Sequence, residues 1–178
     1  MTRALARTVL VLSIVVLLAA CATRPVVEQT GNANDAIWSL QGRLGISAGR
    51  KHGSFTVDWR QRKDDYNIDL LGPLGVGVAK ITRRAGKVTL EIPHQAPLVA
   101  DSADRLLSDS LGLDIPVTPL RYWIRGKPAP GSYQPTPEGF RQQGWTIAYA
   151  KYEAGLPVKI QLTRPEVRVT MVVRKWTD

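Results

Sequence analysis

Trp38-Ser39-Leu40-Gln41-Gly42-Arg43-Leu44-Gly45-Ile46 changes side-chain character at every step. Trp38, Leu40, Gly42, Leu44 and Ile46 share one side and Ser39, Gln41 and Arg43 the other, which is the two-residue period of a β-strand with one wet face. The period returns in Phe55, Val57 and Trp59, in Tyr66, Ile68 and Leu70, in Val76 and Val78, and in Val88, Leu90 and Ile92. It returns again in Trp145, Ile147 and Tyr149, in Val158, Ile160 and Leu162, and in Val167, Val169, Met171 and Val173. Gly, Asp, Asn or basic residues bound each run at hairpin spacing. Consecutive antiparallel strands of this kind predict a mainly β fold, a curved sheet or barrel whose apolar face needs a cover.

Between residues 100 and 125 the period changes to about 3.6. Asp101 and Asp104 place acid where a helix N-terminus favours it, then Ala103, Leu106, Leu107 and Leu111 form one stripe before Gly112. Thr118-Pro119 reads as a cap followed by Pro at the first helical position, with Leu120, Trp123 and Ile124 on one face. Two short amphipathic helices are thus the predicted cover. From Lys127 to Gly139 the chain holds Pro128, Pro130, Pro135 and Pro137, which predicts an irregular loop.

The start of the chain carries a different signal. Arg3 and Arg7 precede an apolar run from Val9 to Ala20 that is too short to span a bilayer, and Leu18-Ala19-Ala20-Cys21 closes it. This is the form of a bacterial lipoprotein signal, so residues 1–20 are expected to be removed and Cys21, the one cysteine, to carry lipid. Residues 21–37 then form a lipidated N-terminus and polar tether, and 38–178 a single domain. In bacterial lipoproteins Asp after the lipidated cysteine favours the inner membrane; Ala22 stands there, so the outer membrane, on its periplasmic face, is the expected destination.

Lys and Arg number 24 against 15 Asp and Glu, and the formal charge of +9 falls by two when Arg3 and Arg7 leave. Export makes nucleic acid an unexpected partner and leaves anionic membrane or an acidic protein. Basic residues cluster at Arg50-Lys51, at Arg60 with Arg62-Lys63, at Arg83-Arg84 with Lys87, and at Arg174-Lys175. These are either solvated hairpin ends or a basic rim that meets a partner.

Catalytic patterns are few. Gly45-Ile46-Ser47-Ala48-Gly49 matches the nucleophile-elbow spacing, and Asp69 and His94 could complete a triad order, but an elbow needs a helix after Ser47 and an alternating strand follows instead. His52 and His94 have no second ligand at metal-binding spacing. Asp58 and Asp69 fall on polar strand faces rather than across a groove, and Val78 stands where a phosphate loop starting at Gly72 would need Lys. No cofactor is expected, and any work must run on binding energy.

Gly72-Pro73-Leu74-Gly75 suits a type I turn, with Pro second and Gly fourth. Leu74 then sits at the tip with nothing to pack against, and no charge interrupts the chain from Leu70 to Ala79. An apolar hairpin on a basic, lipid-anchored protein suits contact with lipid.

The lipobox, the Leu71-Gly72-Pro73-Leu74-Gly75 hairpin, Ala100-Asp101-Ser102-Ala103-Asp104 before the leucine helix, and Ile115-Pro116-Val117 running into Leu120-Arg121-Tyr122-Trp123-Ile124-Arg125-Gly126 resemble, in that order, the LolB family of outer-membrane lipoprotein receptors. The resemblance covers essentially the whole chain after the signal. It implies a strongly curved antiparallel sheet forming an incomplete β-barrel, with short helices in its mouth and an apolar cavity for acyl chains. It also implies a monomer that accepts acylated cargo from a periplasmic carrier and inserts it into outer-membrane lipid, with Leu74 as the residue that pushes into the bilayer. Candidate cavity residues are Leu44, Phe55, Trp59, Ile68, Leu70, Leu106, Leu107, Leu111, Trp123, Trp145, Ile147 and Met171. The rival readings are an envelope lipoprotein that binds phospholipid or lipopolysaccharide, and an envelope serine hydrolase acting through Ser47.

Overall fold

The computed structural model describes residues 37–112 and 114–178. The expected signal peptide, Cys21 and the tether before Ile37 lie outside the described residues. Eleven antiparallel strands form one sheet: β1 (Ile37–Ala48), β2 (Lys51–Arg62), β3 (Asp65–Leu71), β4 (Gly77–Arg84), β5 (Lys87–Glu91), β6 (Leu98–Ala100), β7 (Gln134–Thr136), β8 (Gly139–Gln142), β9 (Trp145–Glu153), β10 (Leu156–Arg164) and β11 (Val167–Thr177). Their order is β6-β5-β4-β3-β2-β1-β11-β10-β9-β8-β7, so β1 and β11 join two meanders while β6 and β7 stay as unjoined edges. The result is a curved sheet that does not close into a barrel.

Register breaks mark where the sheet bends. The β1–β11 ladder slips between Gln41 and Gly42, β3–β4 between Leu70 and Leu71, and β9–β10 around Lys159. Gly42 is required at the first of these, because a Cβ there would lie 2.4 Å from the carbonyl oxygen of Val172. Val76 precedes the strand start at Gly77, and Ala79 and Ile81, opposite Leu70 and Ile68, carry the inward face of β4.

Among the described residues there are two helices, α1 (Ala103–Leu111) and α2 (Val117–Trp123), and both bury an apolar side in the core formed by the concave face. Ser102 caps α1 by accepting from the Arg105 N–H at 3.5 Å, and Gly112 ends it in the left-handed region, its N–H donating to the Ser108 carbonyl at 2.9 Å. Thr118 does not cap α2. The helix starts one residue earlier, behind Pro116, and the Thr118 N–H and hydroxyl both donate to Asp104, at 3.1 and 3.4 Å. The side chain of Leu111 and the whole of residue 113 lie outside the described residues. In the proline-rich stretch the chain forms β7, an edge strand that tolerates Pro135, and turns at Gly139 into β8.

Gln142 on β8 holds this region to α2. Its Oε1 accepts from Trp123 Nε1 at 2.7 Å and from the Ala129 N–H at 2.8 Å, while its Nε2 donates to the Ala129 carbonyl at 2.7 Å. Tyr149 adds a hydroxyl bond to the Trp123 carbonyl at 2.6 Å. Trp123 is fully buried, so these groups have no water to turn to.

Gln142→Leu keeps the volume but strands two buried donors and a carbonyl, at ~1–3 kcal/mol each. A loss of about 3 kcal/mol or more in urea unfolding is expected, and an unchanged midpoint would contradict the network's role. Burial pushes the Tyr66 hydroxyl up to about 12, with Arg83 and Arg121 opposing and Asp104 adding to the rise, and burial also drives Tyr149 upward. The fold therefore favours the neutral phenols. Their stabilisation is full below the ordinary tyrosine value of 10.0 and is lost as pH rises from there toward about 12. Thermal melts should be insensitive to pH below the ordinary tyrosine value of 10.0 and fall above it, and Tyr66→Phe should lessen the fall.

Candidate functional site

The concave face is solid at one end and hollow at the other, and residue size explains the difference. Trp38, Trp59, Tyr66 and Trp176 stack at one end, with ring centroids of Trp38–Trp59, Trp38–Trp176 and Trp59–Tyr66 at 5.5, 5.7 and 6.2 Å. Trp59 is fixed there by its Nε1 donating to Gln61 at 3.0 Å, and Gln61 in turn donates to the Lys63 carbonyl at 2.6 Å. Toward the other end the inward face of β2 carries Val57, Phe55 and Gly53, and that of β4 carries Ala79, so small residues interrupt the larger ones. There the sheet and the helices leave a cavity of about 420 Å³.

Leu44, Ile46, Gly53, Phe55 and Val57 form the wall from β1 and β2, and Ile68, Leu70, Val78, Ala79 and Ile81 the wall from β3 and β4. Met171 adds β11, Trp59 closes the floor, and Leu107, Ile115, Val117 and Leu120 form the roof from α1, α2 and the segment between them. Along β2, Gly53, Phe55, Val57 and Trp59 face the same way, so the trough is about 20 Å long at ~6.8 Å per pair of residues. Its lining is apolar except where Lys51 and His52 stand at the mouth. Lys51 Nζ lies against the end of α1, 3.0 Å from where a Cβ on Gly112 would be.

The antiparallel order brings the β1–β2 turn, the β3–β4 turn and the β5–β6 connection to this open end. The β3–β4 turn is 72–75: the Gly75 N–H donates to the Gly72 carbonyl at 3.0 Å and Gly75 adopts φ +74. Leu74 at its tip is 99 % exposed, with Val76 66 % exposed beside it. A side chain that could bury in the core stands in water next to the cavity mouth.

Of the candidates named from sequence, Leu44, Phe55, Trp59, Ile68, Leu70, Leu107 and Met171 line the cavity. Leu106, Trp123, Trp145 and Ile147 do not; they are buried in packed core, Ile147 completely, and Leu111 lies outside the description. Alternation had no means of separating a filled position from a lining one, because both are apolar and inward. Missed lining residues such as Gly53, Val78 and Ala79 are small, which is the property that makes the hollow.

The hydrolase constellation is not assembled. Ser47 stands in register with His52 in an antiparallel hairpin with no helix after it. Asp69 is taken by Arg60 at 3.0 Å and Asn67 at 2.5 Å, and His94 follows β5, four strands from β1 in the sheet order. Several basic clusters are ion-paired: Arg60 with Asp58 and Asp69, Lys87 with Asp101 at 2.6 Å. All are exposed, so they contribute little stability. On the outer face, Arg43, Lys159, Arg168 and Lys175, on β1, β10 and β11, are exposed and form no ion pair among the described residues.

The family model described as "Outer membrane lipoprotein LolB" matches residues 36–176. Curated relatives carry the name "Outer-membrane lipoprotein LolB": one from Ectopseudomonas mendocina is 36 % identical, covering 96 % of both chains. One from Pseudomonas fluorescens is 37 % identical over 96 % of this chain and 95 % of its own, and one from Pseudomonas putida 40 % identical over 78 % and 73 %. Among solved structures, a LolA superfamily protein from Nitrosomonas europaea is similar at a TM-score of 0.47 and 10 % identity, covering 78 % of this chain and 85 % of that one. A match that runs from the first residue of β1 nearly to the end of β11, with relatives of this identity over most of the chain, means that the chain belongs to the LolB family of outer-membrane lipoproteins.

Proposed function

We propose that the chain is an outer-membrane receptor that takes acylated lipoproteins from a periplasmic carrier, shelters acyl chain in the cavity and passes the cargo to the membrane without hydrolysing nucleotide. Lipid on Cys21 holds it there, and Leu74 enters the bilayer at the handover. The observation that carries this reading is the apolar cavity whose mouth lies at the same end as a fully exposed leucine.

Magnitudes support it. A cargo with three acyl chains exposes about forty methylenes, on the order of 30 kcal/mol at ~0.8 kcal/mol each, which makes passage through water prohibitive. A cover must be present at each stage, and direction comes from each site holding the chains better than the last. At ~30 Å³ per water-sized group, about 420 Å³ holds roughly fourteen, or about one acyl chain. A trough of about 20 Å suits one chain too, since a bilayer core of ~30 Å is two chains deep. Further chains require α1 and α2 to move outward or must rest at the mouth. The positive net charge favours approach to anionic head groups or an acidic carrier.

Two substitutions test the reading. Leu74→Glu lies outside the cavity, so capture of a triacylated lipoprotein should stay within about twofold while its delivery to liposomes slows at least tenfold; equal delivery would remove the turn from the mechanism. Ala79→Phe fills the cavity from its wall. Uptake of a triacylated lipoprotein should fall at least tenfold with the melting temperature held or raised, as expected when a void is filled. Undiminished uptake by this variant would place the acyl chains elsewhere.

A further inference from the structure

Phe55 and Gly53 are two residues apart on β2 and face the same side of the sheet, in register with Leu44 and Ile46 on β1. Both line the cavity near its mouth, and both are half-buried. The Phe55 ring lies back along its own strand over the bare backbone of Gly53: a Cβ on Gly53 would meet Cε2 and Cζ of that ring at 2.7 Å. Nothing else comes within 3.4 Å of that Cβ, and no positive φ reserves the position for glycine. The turn does not require glycine here, and neither does the strand; the space is occupied by an aromatic ring.

We propose that Gly53 is the resting place of the Phe55 ring and that the pair sets whether an acyl chain can enter the cavity. This rests on the acyl-cavity reading and assigns its gate. With the ring over Gly53 the trough from Val57 to Trp59 stays clear. A ring displaced from there leans about χ1 or moves to another staggered rotamer. Outward, the ring would face water. Inward lies an apolar hollow wide enough to take it, and burial favours that side. A side chain at residue 53 thus turns Phe55 from a wall of the mouth into a plug.

The test is uptake of a fluorescent palmitate analogue by the full chain and by Gly53→Ala, Phe55→Leu and the double variant. If the ring plugs about nine molecules in ten, Gly53→Ala binds the probe about tenfold more weakly. Phe55→Leu, which changes the cavity wall, serves as its own reference, and adding Gly53→Ala to it should weaken binding by less than about twofold, because a leucine is too short to fill the trough. A melting temperature of Gly53→Ala at or above the parent's shows that the strand is intact. Undiminished binding by Gly53→Ala, or an equally large loss when Gly53→Ala is added to Phe55→Leu, would overturn the gate while leaving the cavity reading standing. No uptake by the parent chain would overturn both.

Discussion

An apolar sheet face must be covered, and here the sheet is larger than its cover. Eleven strands curve around a concave face, while the cover is a helix of nine residues, a helix of seven and the segment between them. Where the sheet supplies Trp38, Tyr66 and Trp176 around Trp59 the gap closes; where Gly53, Val57 and Ala79 interrupt the larger residues it does not. By the scaling for sealed cavities, ~24 cal/mol per Å³, a void of about 420 Å³ would cost on the order of 10 kcal/mol, as much as a whole domain's stability. Two features lower that cost: the hollow opens to solvent at the mouth, and the rest of the fold is anchored independently of it. What remains is a standing preference for apolar matter inside.

That independence is visible in the placement of the polar contacts. Gln142, Tyr149 and the Trp123 indole clamp α2 against β8 and β9, and Arg121 pairs with Asp64 at 2.8 Å at the end away from the mouth. By contrast α1 buries Ala103, Leu106 and Leu107, and its polar contacts are exposed, Asp104 to Thr118 and, just ahead of the helix, Asp101 to Lys87. Exposed contacts are exchanged for water at little cost, buried ones are not. The two helices that look alike in sequence are therefore held differently, although both roof the cavity, α1 through Leu107 and α2 through Val117 and Leu120.

How much of this was legible in the residues follows from what each signal depends on. The long strands were legible because alternation is local, and the end of α1 because Gly112 acts on adjacent backbone, whereas its start was read from Asp101 and Asp104 and the cap is Ser102 between them. Strands β6, β7 and β8, of three, three and four residues, were not, since a period of two needs more residues than that to show itself and Pro135 argues against a strand unless its edge position is known. Thr118 was misread as a cap because its partner, Asp104, is fourteen residues earlier. Leu74 was legible because it violates a rule that its neighbours obey.

The cavity itself is the least local feature. An inward leucine on β1 and an inward isoleucine on β9 look the same in the chain, yet Leu44 lines space and Ile147 fills it. What distinguishes them is the size of the residues opposite, and those come from other strands and from the helices. The informative positions for a container are then the small ones. Ala79 and Gly53 bury little and carry no polar side chain, so they read as filler, but their missing volume is what the larger residues are arranged around. Gly53 goes a step further, since the room it leaves is partly taken by a neighbour's ring. A glycine without a turn, a bulge or a positive φ to explain it marks space used by something else, and in this fold that space borders the hollow.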